Sequence, residues 1–333
     1  MTKRTVEAIP ASFDQIARQM MGAPMLGEFT FVSLFSGCGG MDVGFLGGFS
    51  TGGKIYDRLP FEVVWANDLN KAACETYKTN TGHDIHCGDI WKLMDTLPAK
   101  ADIVIGGFPC QDVSVNGKLA GISGKKTGLY KAMVEVVSRL KPKMFVAENV
   151  KGLYSDEKKP LIKIEGEFRA LGYEVVSKLY LAANYGVPQM RERVFIVGTS
   201  KKDSIPAFVH PGPTLTKDQW VTAKDAIGDL EDVPESKEAS HTWSRAEVSA
   251  EQGNRKLKAD RPSATIRAEC HGNIQFHYGK TRRLSMREAA RIQTFPDTFR
   301  FMSGLRETER MVGNAVPPVL AWHIARAVRE RLL

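Results

Sequence analysis

Cysteine is scarce in this chain and falls into no pattern. Its five residues (Cys38, Cys74, Cys87, Cys110 and Cys270) are odd in number, irregularly spaced and never form a CxxC pair. That supports neither a disulfide framework nor a zinc cluster. Each thiol is by default a small buried hydrophobe in a reducing compartment. Long apolar runs are missing too: none approaches the ~20 residues that a membrane span needs. The N-terminal stretch MTKRTVEAIPASFDQIARQM holds no apolar core with a small-residue cleavage site, so the expectation is a cytoplasmic protein without a secretory signal. No internal repeat or low-complexity tract stands out. What is present, 333 residues that are 43% hydrophobic and 25% charged, suits one large globular domain or two moderate ones.

The net charge of +8 favours a polyanionic partner without identifying it. Its distribution says more. Residues 225–251 hold eight acids against two basic residues, whereas 253–291 hold ten Lys or Arg against three acids. The basic stretch suits a phosphate-facing surface, and equally a solvated helix face.

From residue 30 to 198, short apolar runs alternate with helical patterns. FTFVSLF (29–35), FEVVWAND (61–68), ADIVIGG (101–107), MFVAENV (144–150), EVVSKLYLA (174–182) and RVFIVG (193–198) read as strands. LNKAACETYKT, GLYKAMVEVVSRL and LIKIEGEFRAL read as amphipathic helices between them. That rhythm predicts an open α/β sheet, mostly parallel, which binds ligands beyond the carboxyl ends of its strands. Residues 199–281 break the rhythm and read as a smaller, irregular region. LSMREAARIQTF and AVPPVLAWHIARAVRERLL bring helices back.

Chemistry-bearing residues gather at the strand ends. The first strand runs into FSGCGG, a glycine turn that lets backbone N–H groups approach a ligand closely. The second ends in Asp68, placed to accept from ribose hydroxyls, and Asp89 follows Gly88 near the next element. Together they point to a nucleoside-containing cofactor, either a dinucleotide or S-adenosylmethionine. GGFPCQDVS (106–114) places Cys110 on a stiff turn ahead of a glycine- and lysine-rich loop that includes Lys118. Glu148 closes the fourth strand, and QMRER (189–193) precedes the last. Strand alternation puts Arg191 and Arg193 on one side. A thiol, a carboxylate and two guanidiniums can hold a polar base and stabilise anions.

FSGCGG, the Pro-Cys-Gln at 109–111, Glu-Asn-Val at 148–150, QMRER, RRLSMREAARIQTFPD at 282–297 and Gly-Asn-Ala-Val-Pro at 313–317 occur in that order. Together they resemble the motif series of DNA (cytosine-5)-methyltransferases of the bacterial restriction–modification kind, over roughly residues 30 to 330. The resemblance implies a Rossmann-like methyltransferase sheet with helices on both faces plus a smaller, irregular target-recognition domain. The implied division is an N-terminal extension (1–28), a catalytic and cofactor-binding domain (29–198), a target-recognition domain (199–281), and a hinge with a C-terminal helix returning to the first domain (282–333).

It further implies S-adenosylmethionine as cofactor, a monomer acting on double-stranded DNA, and functional pairing with a cognate restriction endonuclease. The implied nucleophile is Cys110, adding to C6 of a flipped-out cytosine. Glu148 would hold N3, Arg193 the base O2, and Arg191 would support the cysteine. Cofactor contacts carry over to Phe35, Gly37, Cys38, Gly40, Asp68, Leu69, Asp89, Ile90, Pro109, Leu129, Asn314 and Ala315. Gln111, Ser114 and Lys118 belong to the loop that closes on DNA. In the variable region the candidates are Thr214, Thr216, Arg245, Arg267, Glu269, His271, Asn273, Gln275 and His277, with Arg282 and Arg283 facing phosphate. The segment 46–60 is longer and richer in glycine than in compact relatives and suggests a surface loop. Residues 1–28 lie outside the resemblance, and Asp68 stands where a glutamate is also common.

Overall fold

In a computed structural model, the described residues are 29–109, 128–154, 159–245, 256–268 and 275–333. The strands are β1 (Phe29–Leu34), β2 (Phe49–Thr51), β3 (Lys54–Tyr56), β4 (Phe61–Asp68), β5 (His86–Cys87), β6 (Ile103–Gly107), β7 (Met144–Val150), β8 (Tyr173–Leu181), β9 (Gln189–Met190), β10 (Glu192–Ser200) and β11 (Ser263–Ala264). The α-helices are α1 (Gly40–Leu46), α2 (Lys71–Thr81), α3 (Ile90–Leu93), α4 (Leu129–Leu140), α5 (Lys159–Ala170), α6 (Ala223–Ile227), α7 (Met286–Ile292), α8 (Leu305–Asn314) and α9 (Pro318–Leu332).

Seven strands form one sheet in the order β5-β4-β1-β6-β7-β10-β8. All neighbours run parallel except β10, which is antiparallel to both β7 and β8. The strand order reverses direction between β1 and β6, the switch point at which such sheets open a crevice. Because β1, β4, β6 and β7 are parallel, Phe35, Asp68, Pro109 and Glu148 all come to one edge. The reversed β10 brings its beginning, not its end, to that same edge. This reversal decides the site.

Alternation along the strands fills two cores. Phe31, Phe61, Val63, Ile103, Ile105, Val146, Phe195 and Val197 pack with α1 and α9 on one face. Val32, Leu34, Val104, Phe145, Ala147, Val194 and Ile196 pack with α4 and α5 on the other. The fold is therefore the expected mostly parallel α/β sheet with helices on both faces. A third core joins Leu257, Ile266, Leu284, Ile292, Phe295, Phe299 and Val312 to Cys38 and Ala73, so the smaller region shares its interior with the sheet domain.

Two segments differ from the expectation. Residues 46–60 are not a free surface loop: β2 and β3 form a hairpin that packs on α9. Tyr56 meets Trp322 edge-on at 5.3 Å between ring centroids, and Trp322 Nε1 donates to Asp57 O at 2.9 Å. Helix α8, with only Leu305, Met311 and Val312 as large apolar residues among its charges, is not among the helices expected from the sequence. No helix of the described residues is long and apolar enough to cross a membrane.

Candidate active site

Antiparallel register explains how a carboxylate and a guanidinium meet at the sheet edge. Phe195 lies opposite Glu148, and Arg193 opposite Val150, so Arg193 and Glu148 are diagonal neighbours on one face. Arg193 Nε sits 2.9 Å from Glu148 Oε1, an ion pair without the alignment of a hydrogen bond. Glu148 is 8% exposed. Burial pushes its carboxyl above the usual range, against the opposing pull of Arg193 and Arg191. On its other side Gly107, paired with Glu148, leaves room for Oε2: a Cβ there would lie 3.1 Å away.

The next residue fixes the neighbouring turn. Asn149 Nδ2 donates to Phe108 O at 2.9 Å, and its Oδ1 accepts from the Val150 N–H at 2.9 Å. The chain leaving β6 at Gly107-Phe108-Pro109 is thus clamped immediately before Cys110. Cys110 itself, with Gln111, Ser114, Lys118, Glu269, His271 and Asn273, lies outside the described residues, as do residues 1–28.

Arg191 lies at the break between β9 and β10 and takes different partners from Arg193. Its guanidinium is fully buried and donates to Ile266 O at 3.0 Å, Gly313 O at 3.0 Å and Ala315 O at 2.9 Å. Burial lowers its pKa, as does the charge of Arg193, whereas Glu148 raises it. Arg191 therefore reaches the carboxylate electrostatically, while its hydrogen bonds tie three segments together.

The strand ends of β1, β4 and β5 lie side by side along that sheet edge. Phe35 takes a left-handed φ of +54°, strained for a non-glycine residue, and Gly37 follows at +55° facing open space. Asp68 accepts the Gly37 N–H through Oδ2 and the Asn70 N–H through Oδ1, both at 2.8 Å. Burial raises its pKa; those backbone donors and the charge of Arg310 oppose the rise. Leu69 beside it is 75% exposed. Asp89 caps α3 by accepting the Trp91 N–H at 3.0 Å, and Ile90 is buried beneath it. Leu129 is half-buried at the start of α4; Pro109 is exposed.

Cys38 is buried, and its thiol is pushed up to about 12, first by desolvation. It packs within the third core and lacks nucleophilic character. Gly40 lets the Gly313–Val316 turn close over α1, because a Cβ there would stand 2.5 Å from Val316 O. Asn314 is exposed beside this turn, and Ala315 is half-buried. An acid, apolar flanks and an open glycine turn fit a nucleoside with a short polar tail. Among the described residues no cluster of three or more His, Cys, Asp or Glu side chains could hold a metal.

The basic stretch is turned inward more than its sequence suggests. Arg282 pairs with Glu288 through both Nη atoms at 2.7 Å and lies 4.2 Å from the Trp243 ring centroid. Arg283 is buried 4.3 Å over Phe276. Arg287 donates to Ala239 O, Pro296 O and Phe299 O. Lys280 pairs with Asp232, and Arg291 with Asp229 and Asp297. Two acids of the 225–251 stretch, Asp232 and Asp229, thus fold back onto the basic one. Gln275, expected at base edges, is buried and donates to Thr265 O at 3.1 Å; His277 is buried against Glu288. Thr216 closes a local capping box, Thr214 donates to Asn184 O, and Arg245 pairs with Glu235. Arg267, Lys256 and Lys258 are exposed. The residues that sequence reasoning missed are Asn149, Gln189, Gln293 and Asp42, whose roles depend on partners far along the chain.

The C-5 cytosine-specific DNA methylase family matches residues 29–265 and 244–330. The chain belongs to this family. It is 37% identical over 331 residues to the Type II methyltransferase M.NgoFVII of Neisseria gonorrhoeae, covering 89% of this chain and 85% of that relative. It is 36% identical to the Type II methyltransferase M.FnuDI of Fusobacterium nucleatum, covering 90% and 94% respectively. Among solved structures, a putative DNA modification methyltransferase encoded within an E. coli prophage superposes with a TM-score of 0.68 at 22% identity, covering 92% of this chain and 99% of that one. Spodoptera frugiperda DNMT2 superposes at 0.64 with 17% identity, over 90% and 99%. These two likenesses concern the fold.

Proposed function

We propose that this methylase transfers a methyl group from S-adenosylmethionine to C5 of a flipped-out cytosine in a specific duplex DNA sequence. The observation that carries the reading is the Glu148–Arg193 pair, set on the same edge as the clamped turn that leads into Cys110. S-adenosylmethionine, when bound, supplies an electrophilic sulfonium methyl.

The chain's own residues do the rest. Carbon 5 of cytosine is a weak nucleophile. The Cys110 thiolate forms a bond to C6, and the ring electrons move so that C5 becomes enamine-like. Glu148, whose burial favours the protonated form, hydrogen-bonds N3 and stabilises the charge that develops there. Arg193 holds O2 and keeps Glu148 oriented. After C5 takes the methyl, water takes the C5 proton, the C–H electron pair re-forms the C5=C6 double bond, and the S–C6 bond breaks with its electrons leaving on the Cys110 sulfur as thiolate. Phe35, Gly37, Asp68, Leu69, Asp89, Ile90 and Asn314 hold the cofactor: the acids take hydroxyl and amino donors, and Leu69 covers an aromatic face. Residues 199–281, the exposed Arg267 among them, serve recognition of duplex DNA, with the protein acting as a monomer in the bacterial cytoplasm. The Type II names of its relatives support pairing with a cognate restriction endonuclease.

Bisulfite sequencing of a plasmid carried with this gene in a methylation-free host tests the reading, and one sequence context should be protected. Cys110→Ser should abolish protection while S-adenosylhomocysteine still binds. Methylation of tRNA without methylation of duplex DNA would overturn the choice of substrate.

A further inference from the structure

Three fully buried polar side chains converge where the sheet domain meets the smaller region. Gln293, at the C-terminus of α7, donates through Nε2 to Val312 O at 2.8 Å and Ala315 O at 2.9 Å. Its Oε1 accepts from Gln189 Nε2 at 2.5 Å. Gln189 in turn accepts the Ile266 N–H through Oε1 at 2.9 Å, and Arg191 donates to Ile266 O at 3.0 Å. Both polar groups of the Ile266 residue are thereby held from β9 and its exit. Arg191 also reaches Ala315 O, so that carbonyl takes two donors.

The amide of Gln293 has both donors and its oxygen engaged. Val312 O and Ala315 O belong to the end of α8, where carbonyls have no partner within the helix. Without Gln293 they would lose a donor in a buried setting, at a cost the turn can avoid only by moving. Gly313 meanwhile lies flat on the 267–268 peptide: a Cβ there would stand 2.4 Å from Ala268 N. Strip and turn therefore have no slack between them. Either both keep their positions or both shift.

We infer that Gln293 is a positioning residue, which sets the turn carrying Asn314 for the cofactor. Through Gln189 it couples that turn to the 263–268 strip leading into the recognition stretch. The inference rests on the methyltransferase reading above. Cofactor binding and order in the strip are thereby linked, each favouring the other. Gln293 touches neither substrate nor cofactor and acts through the backbone of Val312 and Ala315.

The test is a double-mutant cycle on the whole chain, with S-adenosylhomocysteine titrated by calorimetry. Gln293→Met should weaken binding about tenfold in the wild-type background and less than about threefold in Asn314→Ala. Equal losses in both backgrounds would overturn the coupling. Amide exchange on the wild-type chain gives a second readout that needs no variant: S-adenosylhomocysteine should slow exchange of the Ile266 N–H. Unchanged exchange across 263–268 would equally overturn it. Failure of the wild-type chain to bind S-adenosylhomocysteine would sink the methyltransferase reading and the inference with it. Binding with additive losses sinks the inference alone.

Discussion

Asn149 and Phe108 are joined by a buried hydrogen bond, Nδ2 to carbonyl at 2.9 Å, between the end of β7 and the turn that leaves β6. The bond holds the chain two residues before Cys110, without touching any group that reacts. Asn149→Ala frees that turn, and a displacement of about 1 Å at a nucleophile can cost on the order of a hundredfold. Methyl transfer should therefore fall about a hundredfold in kcat, while S-adenosylhomocysteine affinity stays within about threefold. An unchanged kcat would remove the clamp from the mechanism.

Glu148 and Arg193 make a prediction about pH. Burial raises the carboxyl of Glu148, and Arg193 is the largest influence opposing that rise. Glu148→Gln should lower kcat by about 10² or more, in the range expected for losing a positioned acid. Arg193→Ala removes a positive neighbour, so Glu148 keeps its proton to higher pH. The alkaline limb of kcat should move upward in that variant, on top of a lower maximum. A downward shift would contradict the proposed protonated role.

Asp42 is fully buried in α1, with Oδ1 accepting from Tyr77 Oη at 2.8 Å and Oδ2 without a hydrogen-bond partner among the described residues. Desolvation raises its carboxyl to about 6 from 3.8. A raised acid favours the fold fully below its unfolded pKa, and that contribution is lost as pH rises through the folded value. The difference corresponds to about 3 kcal/mol across that window. Asp42→Asn keeps an acceptor for Tyr77 and removes the charge. Urea unfolding should find the variant at least as stable as wild type at pH 8, with its relative advantage lost by about pH 4. A pH-independent difference would show that ionisation of Asp42 contributes nothing.

Gly44 faces α9 with no room for a side chain: a Cβ would lie 2.4 Å from Ala321 Cβ and 2.6 Å from Pro318 O. Gly44→Ala should cost about 1–3 kcal/mol, read as a lower Tm. Adding Ala321→Gly should recover only part of the loss, since the clash with the Pro318 carbonyl remains. Full recovery would place the whole strain on the Ala321 methyl.

Much of the sheet could be read directly. FEVVWAND and MFVAENV are strands over the whole of their quoted lengths: MFVAENV, buried on both faces, is a short apolar run, and FEVVWAND alternates buried and exposed residues before a buried run. Their polar ends, Asp68 and Glu148, were legible for the same reason. Helix α8 was not, because its charged face outweighs its few apolar residues. The inward turn of Arg282, Arg283 and Gln275 was also hidden. Composition marks a basic stretch but not whether the acids of 225–251 fold back upon it, and Lys280–Asp232 and Arg291–Asp229 show that they do.

The sequence by itself determined the α/β class, the strand ends that carry acids and glycines, and the motif order that points to cytosine C5 methylation. Local periodicity and short spacings are properties of neighbours in the chain, so they survive without coordinates. Tertiary structure alone decided which of two nearly adjacent arginines meets the carboxylate. Reversal of β10 delivers Arg193 to Glu148, while the buried Arg191 donates to Ile266 O, Gly313 O and Ala315 O. Strand direction and long-range backbone acceptors set those positions, and neither is written in the spacing of QMRER.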